Sequence, residues 1–130
     1  ISLAQQVNLA GAVIVSTPQD IALLDVVKAL TMFQKASVPV LGMIENMSYW
    51  CCPDCGRIDH IFGEGGVKAE AKKRGIEMLG EIPISSQVRK SSDSGIPIII
   101  SEPKSVQSKN YRNIAKAIIK SVKIDEEELV

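Results

Sequence analysis

Residues 12–46, with the sequence AVIVSTPQDIALLDVVKALTMFQKASVPVLGMIEN, decide the fold of this chain. Two apolar, β-branched runs at residues 12–16 and 38–44 predict buried strands. The segment between them predicts a helix over residues 18–35, because a capping Thr17 precedes it and its apolar positions form a wide face. A strand, a helix and a second strand form a βαβ unit, in which the strands lie parallel. The chain is therefore predicted to be an α/β protein.

Downstream of this unit, short helical and extended patterns alternate. The predicted elements are a helix at residues 66–74 closed by Gly75, a strand at 77–82, a helical turn at 86–92, a strand or extended segment at 97–100, and a helix at 106–122 capped by Ser105. One domain over residues 1–124 accommodates them all. Residues 125–130 form an acidic tail, which we expect to be solvated and frayed.

The composition excludes several classes of protein. The 130 residues include 15 Lys and Arg against 15 Asp and Glu, and 45% of the chain is hydrophobic. High apolar content without net charge excludes intrinsic disorder, and the absence of a basic excess argues against a nucleic-acid partner. No apolar run reaches the ~20 residues that a membrane span needs, so no span is predicted.

The sharpest chemical signal is a pair of cysteines in the loop at about residues 47–66, in the run Cys52-Pro53-Asp54-Cys55. Two thiolates separated by two residues can bind one metal ion or one cluster, because the turn between them lets both sulfurs converge. A redox dithiol and a pair of ordinary cysteines are the alternatives.

A closed zinc site needs four ligands, and the chain offers Cys51, Cys52, Cys55 and His60. Adjacent Cys51 and Cys52 are awkward as simultaneous ligands. Two chains that each give Cys52 and Cys55 complete four thiolates most simply, with the metal or cluster on a two-fold axis. The rival interpretation is a zinc-stabilised, non-enzymatic binding module, which would use Cys51 or His60.

Asn46 lies where the second predicted strand ends, and ligands of open α/β sheets bind outside such ends. Its amide is suited to reading a base edge, and equally to capping a local turn. The Gly-rich run at residues 63–66 is best explained as a turn before a helix. No segment of the chain matches the Walker A pattern G-x-x-x-x-G-K-[ST].

Six motifs in register resemble one family. They are STPQD at residues 16–20, GMIENMS at 42–48, CPDC at 52–55, HIFG at 60–63, LGEIP at 79–83 and DSGIP at 93–97. Together they resemble the C-terminal half of the Mrp-type P-loop ATPases, which are iron–sulfur cluster carriers also called ApbC. Within that family the sequence looks closest to the mitochondrial branch that supplies clusters to respiratory complex I.

The resemblance implies the C-terminal part of a doubly wound, mainly parallel P-loop NTPase sheet of the deviant Walker type, without its N-terminal P-loop half. It also implies a homodimer that binds Mg-ATP and holds a 4Fe-4S cluster between two chains through Cys52 and Cys55. Asn46 matches the family's adenine-recognising Asn, and Ile82 and Pro83 match a stretch beside the base.

The family's Walker A lysines and Mg²⁺-linked aspartates would precede Ile1. We therefore expect ATP hydrolysis of the intact protein and none of this chain alone, so no catalytic residue is assigned within it. The resemblance further implies transfer of the cluster to apo-proteins, with complex I subunits among them. It implies the mitochondrial matrix as the compartment, with a bacterial cytoplasm as the alternative.

Overall fold

The computed structural model describes the backbone of residues 9–129, and the side chains of residues 9–19 and 22–122 within it. Residues 1–8, which belong to the predicted domain, and Val130 of the predicted tail lie outside the described residues.

A three-stranded parallel sheet forms the centre of the fold. Its strands are β1 (Ala12–Ser16), β2 (Val40–Asn46) and β5 (Met78–Ile82), in the order β1-β2-β5. Strands β3 (Trp50–Cys51) and β4 (Ile58–Asp59) pair antiparallel as a separate hairpin. The predicted βαβ unit is confirmed, because β1 and β2 are parallel and a helix connects them.

In the described part of the chain, five helices accompany the strands: α1 (Asp20–Lys35), α2 (Gly66–Arg74), α3 (Ser86–Ser94), α4 (Ile98–Ser101) and α5 (Val106–Leu129). Helices α1 and α2 bury one face of the sheet, in a core made of Ile14, Val26, Leu30, Met43, Val67 and Ala71. Helix α5 buries the opposite face, in a core made of Ile44, Leu79, Ile82 and Ile114. Helices on both faces of a parallel sheet make the doubly wound arrangement that the sequence predicts.

Two predicted helix ends are confirmed, one by a hydrogen bond and one by its backbone conformation. Ser105 Oγ accepts the backbone N–H of Ser108 at 3.1 Å, which is the geometry of an N-terminal cap on α5. Gly75 follows α2 with φ +68°, in the left-handed region that glycine enters without strain. Helix α1 begins at Asp20, and its N-terminal cap residue is Gln19 rather than the predicted Thr17.

The prediction of a strand or extended segment at residues 97–100 is wrong. Three consecutive isoleucines favour a strand by propensity, yet they form the one-turn helix α4 after Pro97. Ile98 is buried, and its carbonyl accepts a hydrogen bond from Ser108 Oγ on α5 at 3.1 Å. Contacts with α5 therefore override the local preference.

Two further boundaries differ from the sequence prediction. Within the loop at about residues 47–66, the run His60-Ile61-Phe62 predicts one short strand. The strand lies instead at Ile58–Asp59, where it pairs with Trp50–Cys51. Helix α5 was predicted to end at Val122 and runs to Leu129, through the acidic residues. Within the described part of the chain, no helix is long and apolar enough to cross a membrane.

Candidate functional site

The carboxyl ends of the three parallel strands meet at one edge of the sheet, at Ser16, Asn46 and Ile82. Asn46 pairs directly with Ile82 in the register of β2 and β5. The sheet therefore brings together two segments that lie far apart in the sequence and that the family resemblance assigns to nucleotide binding. This edge is where open α/β sheets bind their ligands.

The side chain of Asn46 makes a local hydrogen bond at this edge. Its Oδ1 accepts the backbone N–H of Met47 at 3.0 Å, and Met47 has φ +53°, in the left-handed region. This is the turn-capping bond that one of the two interpretations of Asn46 expected. Asn46 Nδ2 donates no hydrogen bond to the described residues.

Ile82 and Pro83 are both buried. The Ile82 side chain packs in the core against α5, and its carbonyl accepts the Ser48 N–H at 3.0 Å. Two residues on, the N–H of Ile84 donates to the Tyr49 carbonyl at 2.7 Å. These bonds attach the chain after β5 to the start of the cysteine loop. The Ile82 side chain belongs to the core and is not available to a ligand.

The cysteine pair occupies the tip of the β3–β4 hairpin. The Cys52 N–H donates to the Arg57 carbonyl at 2.8 Å, and the Gly56 N–H donates to the Cys52 carbonyl at 2.9 Å. Gly56 has φ +75°, which lets the chain reverse within this turn. Cys52 is half-buried and Cys55 is exposed, so the pair is accessible from outside the fold.

The surroundings of the Cys52 sulfur favour its charged form. Hydrogen bonds from the backbone N–H of Cys55, the backbone N–H of Asp54 and the Cys55 side chain lower the pKa of the Cys52 thiol. Donors that converge on a sulfur favour its charged form, and the thiolate is the form that ligates metals.

Cys51 and His60 have different neighbours. Cys51 lies in β3 opposite Ile58, and its Sγ lies 3.8 Å from the Gly56 carbonyl oxygen. The imidazole of His60 lies 6.3 Å from the Tyr49 ring, centroid to centroid, and its Nε2 lies 3.7 Å from a Glu64 carboxylate oxygen. Among the described side chains of residues 9–19 and 22–122, no three His, Cys, Asp or Glu are grouped as a metal-ion site.

No motif in the sequence singled out Glu45, which is 1% exposed near the end of β2. Its carboxylate accepts the Ser48 hydroxyl at 2.5 Å and the Val67 backbone N–H at 3.1 Å. A charged residue is almost never fully buried unless it is paired. A signal was present, because Glu45 directly follows the run at residues 38–44 that predicts a buried strand. Its partner Val67 lies 22 residues away, so the local sequence does not reveal it.

A family model described as "ParA: NUBPL iron-transfer P-loop NTPase" matches residues 1–119. This chain belongs to that family. The chain is 55% identical over 124 residues to the iron–sulfur cluster transfer protein NUBPL of Dictyostelium discoideum. This match covers 95% of the chain and 38% of that protein. It is 46% identical over 123 residues to the Arabidopsis thaliana iron–sulfur protein required for NADH dehydrogenase, mitochondrial, with coverage of 95% and 39%.

Bacterial relatives of this NUBPL-family chain exist as well. The iron–sulfur cluster carrier protein of Aquifex aeolicus is 50% identical over 118 residues, with coverage of 91% of this chain and 32% of the carrier. The chain thus spans less than two fifths of the length of these relatives.

A solved structure supports the fold of the NUBPL-family chain. A nucleotide-binding protein from Archaeoglobus fulgidus, in complex with ADP, superposes with a TM-score of 0.63 at 45% identity, covering 74% of this chain and 38% of the other. The α/β architecture with a parallel sheet is therefore that of the P-loop NTPases, as predicted.

Proposed function

We propose that the intact protein is an ATP-dependent carrier that holds a 4Fe-4S cluster between two copies of this chain and transfers it to apo-proteins. The observation that carries the proposal is the Cys52–Cys55 pair at the tip of an accessible hairpin, where hydrogen bonds lower the pKa of the Cys52 thiol. Relatives named as cluster transfer and carrier proteins support it.

Two chains are needed because a 4Fe-4S cluster takes four thiolates and one chain supplies two of them. The Cys51 sulfur is directed to the Gly56 carbonyl, and the His60 ring faces Tyr49 and Glu64. A homodimer with one hairpin from each chain therefore completes the ligand set with Cys52 and Cys55 alone. Because each chain holds the cluster by two ligands at an exposed tip, thiolates of a recipient can replace them one after another.

ATP is the second ligand of the proposed carrier. Asn46 would donate from Nδ2 to the adenine, and Pro83 with the neighbouring main chain would lie beside the base, as the family resemblance implies. The ADP bound to the Archaeoglobus protein supports a nucleotide site in this fold. The phosphates and Mg²⁺ would be held by the family's P-loop half, so hydrolysis belongs to the intact protein. ATP drives transfer if it binds two dimer geometries unequally.

The recipients that we propose are apo iron–sulfur proteins, including subunits of respiratory complex I, and the compartment is the mitochondrial matrix. The name of the Arabidopsis relative, which is mitochondrial and required for NADH dehydrogenase, supports both assignments. The Aquifex relative makes a bacterial cytoplasm the alternative compartment.

Anaerobic reconstitution of the intact protein tests the carrier function. Iron, sulfide, visible absorbance and oligomeric mass are measured for the wild type and for Cys52→Ser, Cys55→Ser and Cys51→Ser. We expect one 4Fe-4S cluster for two chains in the wild type, loss of the cluster in the first two variants, and retention in Cys51→Ser, which is the matched control.

Two results would overturn the proposal. One zinc ion per chain, lost in Cys51→Ser or a His60 variant, would favour the zinc-stabilised binding module. Equal loss of cluster in all three serine variants would make Cys51 a ligand and contradict the assignment of two ligands per chain.

A further inference from the structure

One carboxylate joins the two ends of the cysteine loop. The loop leaves the sheet after β2 and returns at the start of α2. Glu45 Oε1 accepts the hydroxyl of Ser48, near the beginning of the loop, at 2.5 Å. Glu45 Oε2 accepts the backbone N–H of Val67, just after the loop ends, at 3.1 Å. All three residues are buried, so water does not compete for these bonds.

Helix α2 explains why a carboxylate is stable in this place. Its N-terminal cap is Gly65, which has no side chain to offer, and its first turn contains no acidic residue. The unpaired N–H groups and the positive end of the helix dipole are therefore left for another element to satisfy. Glu45 supplies that negative charge from the strand, and the short contact with Ser48 satisfies its second oxygen.

The end of β2 carries different groups on its two faces. Side chains alternate along a strand, so Glu45 faces α2 while Asn46 belongs to the opposite face. Ser48 is held a second time, because its N–H donates to the Ile82 carbonyl at 3.0 Å. The beginning of the cysteine loop is thus fixed to both β2 and β5. Among the described residues, the Glu45 carboxylate is the only side chain of β2 that forms a hydrogen bond with Val67.

We infer that Glu45 is a positioning residue, whose carboxylate holds both ends of the cysteine loop and so fixes the hairpin that carries Cys52 and Cys55 to the sheet. This inference rests on the proposed function, because its consequence concerns the cluster that the two cysteines hold. Four thiolates from two chains must meet at one place with small positional error. A loop released at either end would hold the cluster more weakly.

Hydrogen–deuterium exchange of the intact, cluster-free protein tests the loop attachment directly. In Glu45→Ala we expect amide exchange to become about tenfold faster or more at both ends of the loop, since the Ser48 hydroxyl and the Val67 N–H lose their acceptor. In Ser48→Ala the acceleration is confined to the beginning of the loop, because the bond to Val67 persists.

Two further variants keep the test decisive. Glu45→Gln preserves volume and can still accept from Val67 and donate to Ser48, so it should rescue much of the protection and fold even if Glu45→Ala does not. Glu81→Gln is the matched control, since Glu81 pairs with Glu45 in the sheet register but is exposed. It should exchange like the wild type.

The lifetime of the reconstituted cluster in the presence of an iron chelator gives the second measurement. We expect Glu45→Ala to shorten it about tenfold, in step with the faster opening of the loop, with Glu45→Gln between it and the wild type. A purely structural role would change the unfolding midpoint and leave both loop exchange and cluster lifetime below the midpoint unaltered.

Each outcome decides the matter. Unchanged loop exchange in Glu45→Ala and Ser48→Ala overturns the inference, and so does faster exchange with an unaltered cluster lifetime. A wild-type protein that holds no cluster refutes the proposed carrier function instead, and the exchange data then decide alone whether Glu45 holds the loop.

Discussion

Replacing Asn46 by Asp separates the two roles that its amide could have. Oδ1 caps the Met47 N–H at 3.0 Å, and the Nδ2 group is the one left for adenine. Asn46→Asp keeps the capping oxygen and replaces the donor by a second, negatively charged oxygen. Asn46→Ala removes both groups.

The two variants should therefore differ in stability and in nucleotide affinity. One neutral hydrogen bond contributes about 0.5–1.5 kcal/mol, so Asn46→Ala should lower the free energy of unfolding by about 1 kcal/mol, with Asn46→Asp close to the wild type. For ATP, Asn46→Asp loses a donor and sets a carboxylate against a base acceptor. A total of about 2 kcal/mol corresponds to about 30-fold in Kd, compared with about tenfold for Asn46→Ala.

Calorimetric titration of the intact protein with ATP and GTP, together with urea unfolding, measures both quantities. Discrimination between ATP and GTP should weaken in both variants, because guanine presents the opposite pattern of donor and acceptor. Asn113→Asp, at an exposed position of α5, controls for the added charge. Wild-type ATP affinity in Asn46→Asp would refute base recognition and leave Asn46 as a turn cap.

Three other predictions concern the chain, the thiols and the core. Residues 1–130 alone should show no ATPase activity above background in a clean preparation, since phosphoryl transfer needs positioned cations that this segment does not supply. Phosphate release measures this activity, and turnover above background would contradict the prediction. In the cluster-free protein, iodoacetamide should alkylate Cys52 with a pH midpoint below that of a free cysteine such as N-acetylcysteine, because a lowered pKa keeps the Cys52 thiolate to lower pH. Reactivity should fall only as pH drops through that lowered pKa. A midpoint equal to that of the free cysteine, measured by mass spectrometry, would argue against the hydrogen-bond cause. Gly80→Ala should lower the free energy of unfolding of the intact protein by about 1–3 kcal/mol, because the added Cβ would lie 2.6 Å from Ile114 Cγ1. Urea unfolding measures this loss. If that contact is the cause, the loss should be smaller in an Ile114→Ala background.

Local patterns were sufficient for the elements that are regular and well marked. The β1 and β2 runs, the Ser105 cap and the end of α2 at Gly75 follow from rules that span a few residues, and the structure confirms them. Strand propensity gave the wrong prediction at residues 97–100. The burial of Ile98 and its hydrogen bond with Ser108 on α5 stabilise a helical turn there instead. The pattern near residues 60–62 misplaced one strand of the hairpin and nothing predicted the other, because two-residue strands exist only through their pairing.

The sequence by itself determined the α/β class, the family, and the two thiols with the spacing of a metal or cluster site. The tertiary structure alone decided that Asn46 lies beside Ile82, that the Ile82 side chain belongs to the core, and that Glu45 joins Ser48 to Val67. These relations depend on strand register and on helices packed from distant segments. A buried carboxylate is stable only with the partners that folding brings to it, and no local pattern of residues names those partners.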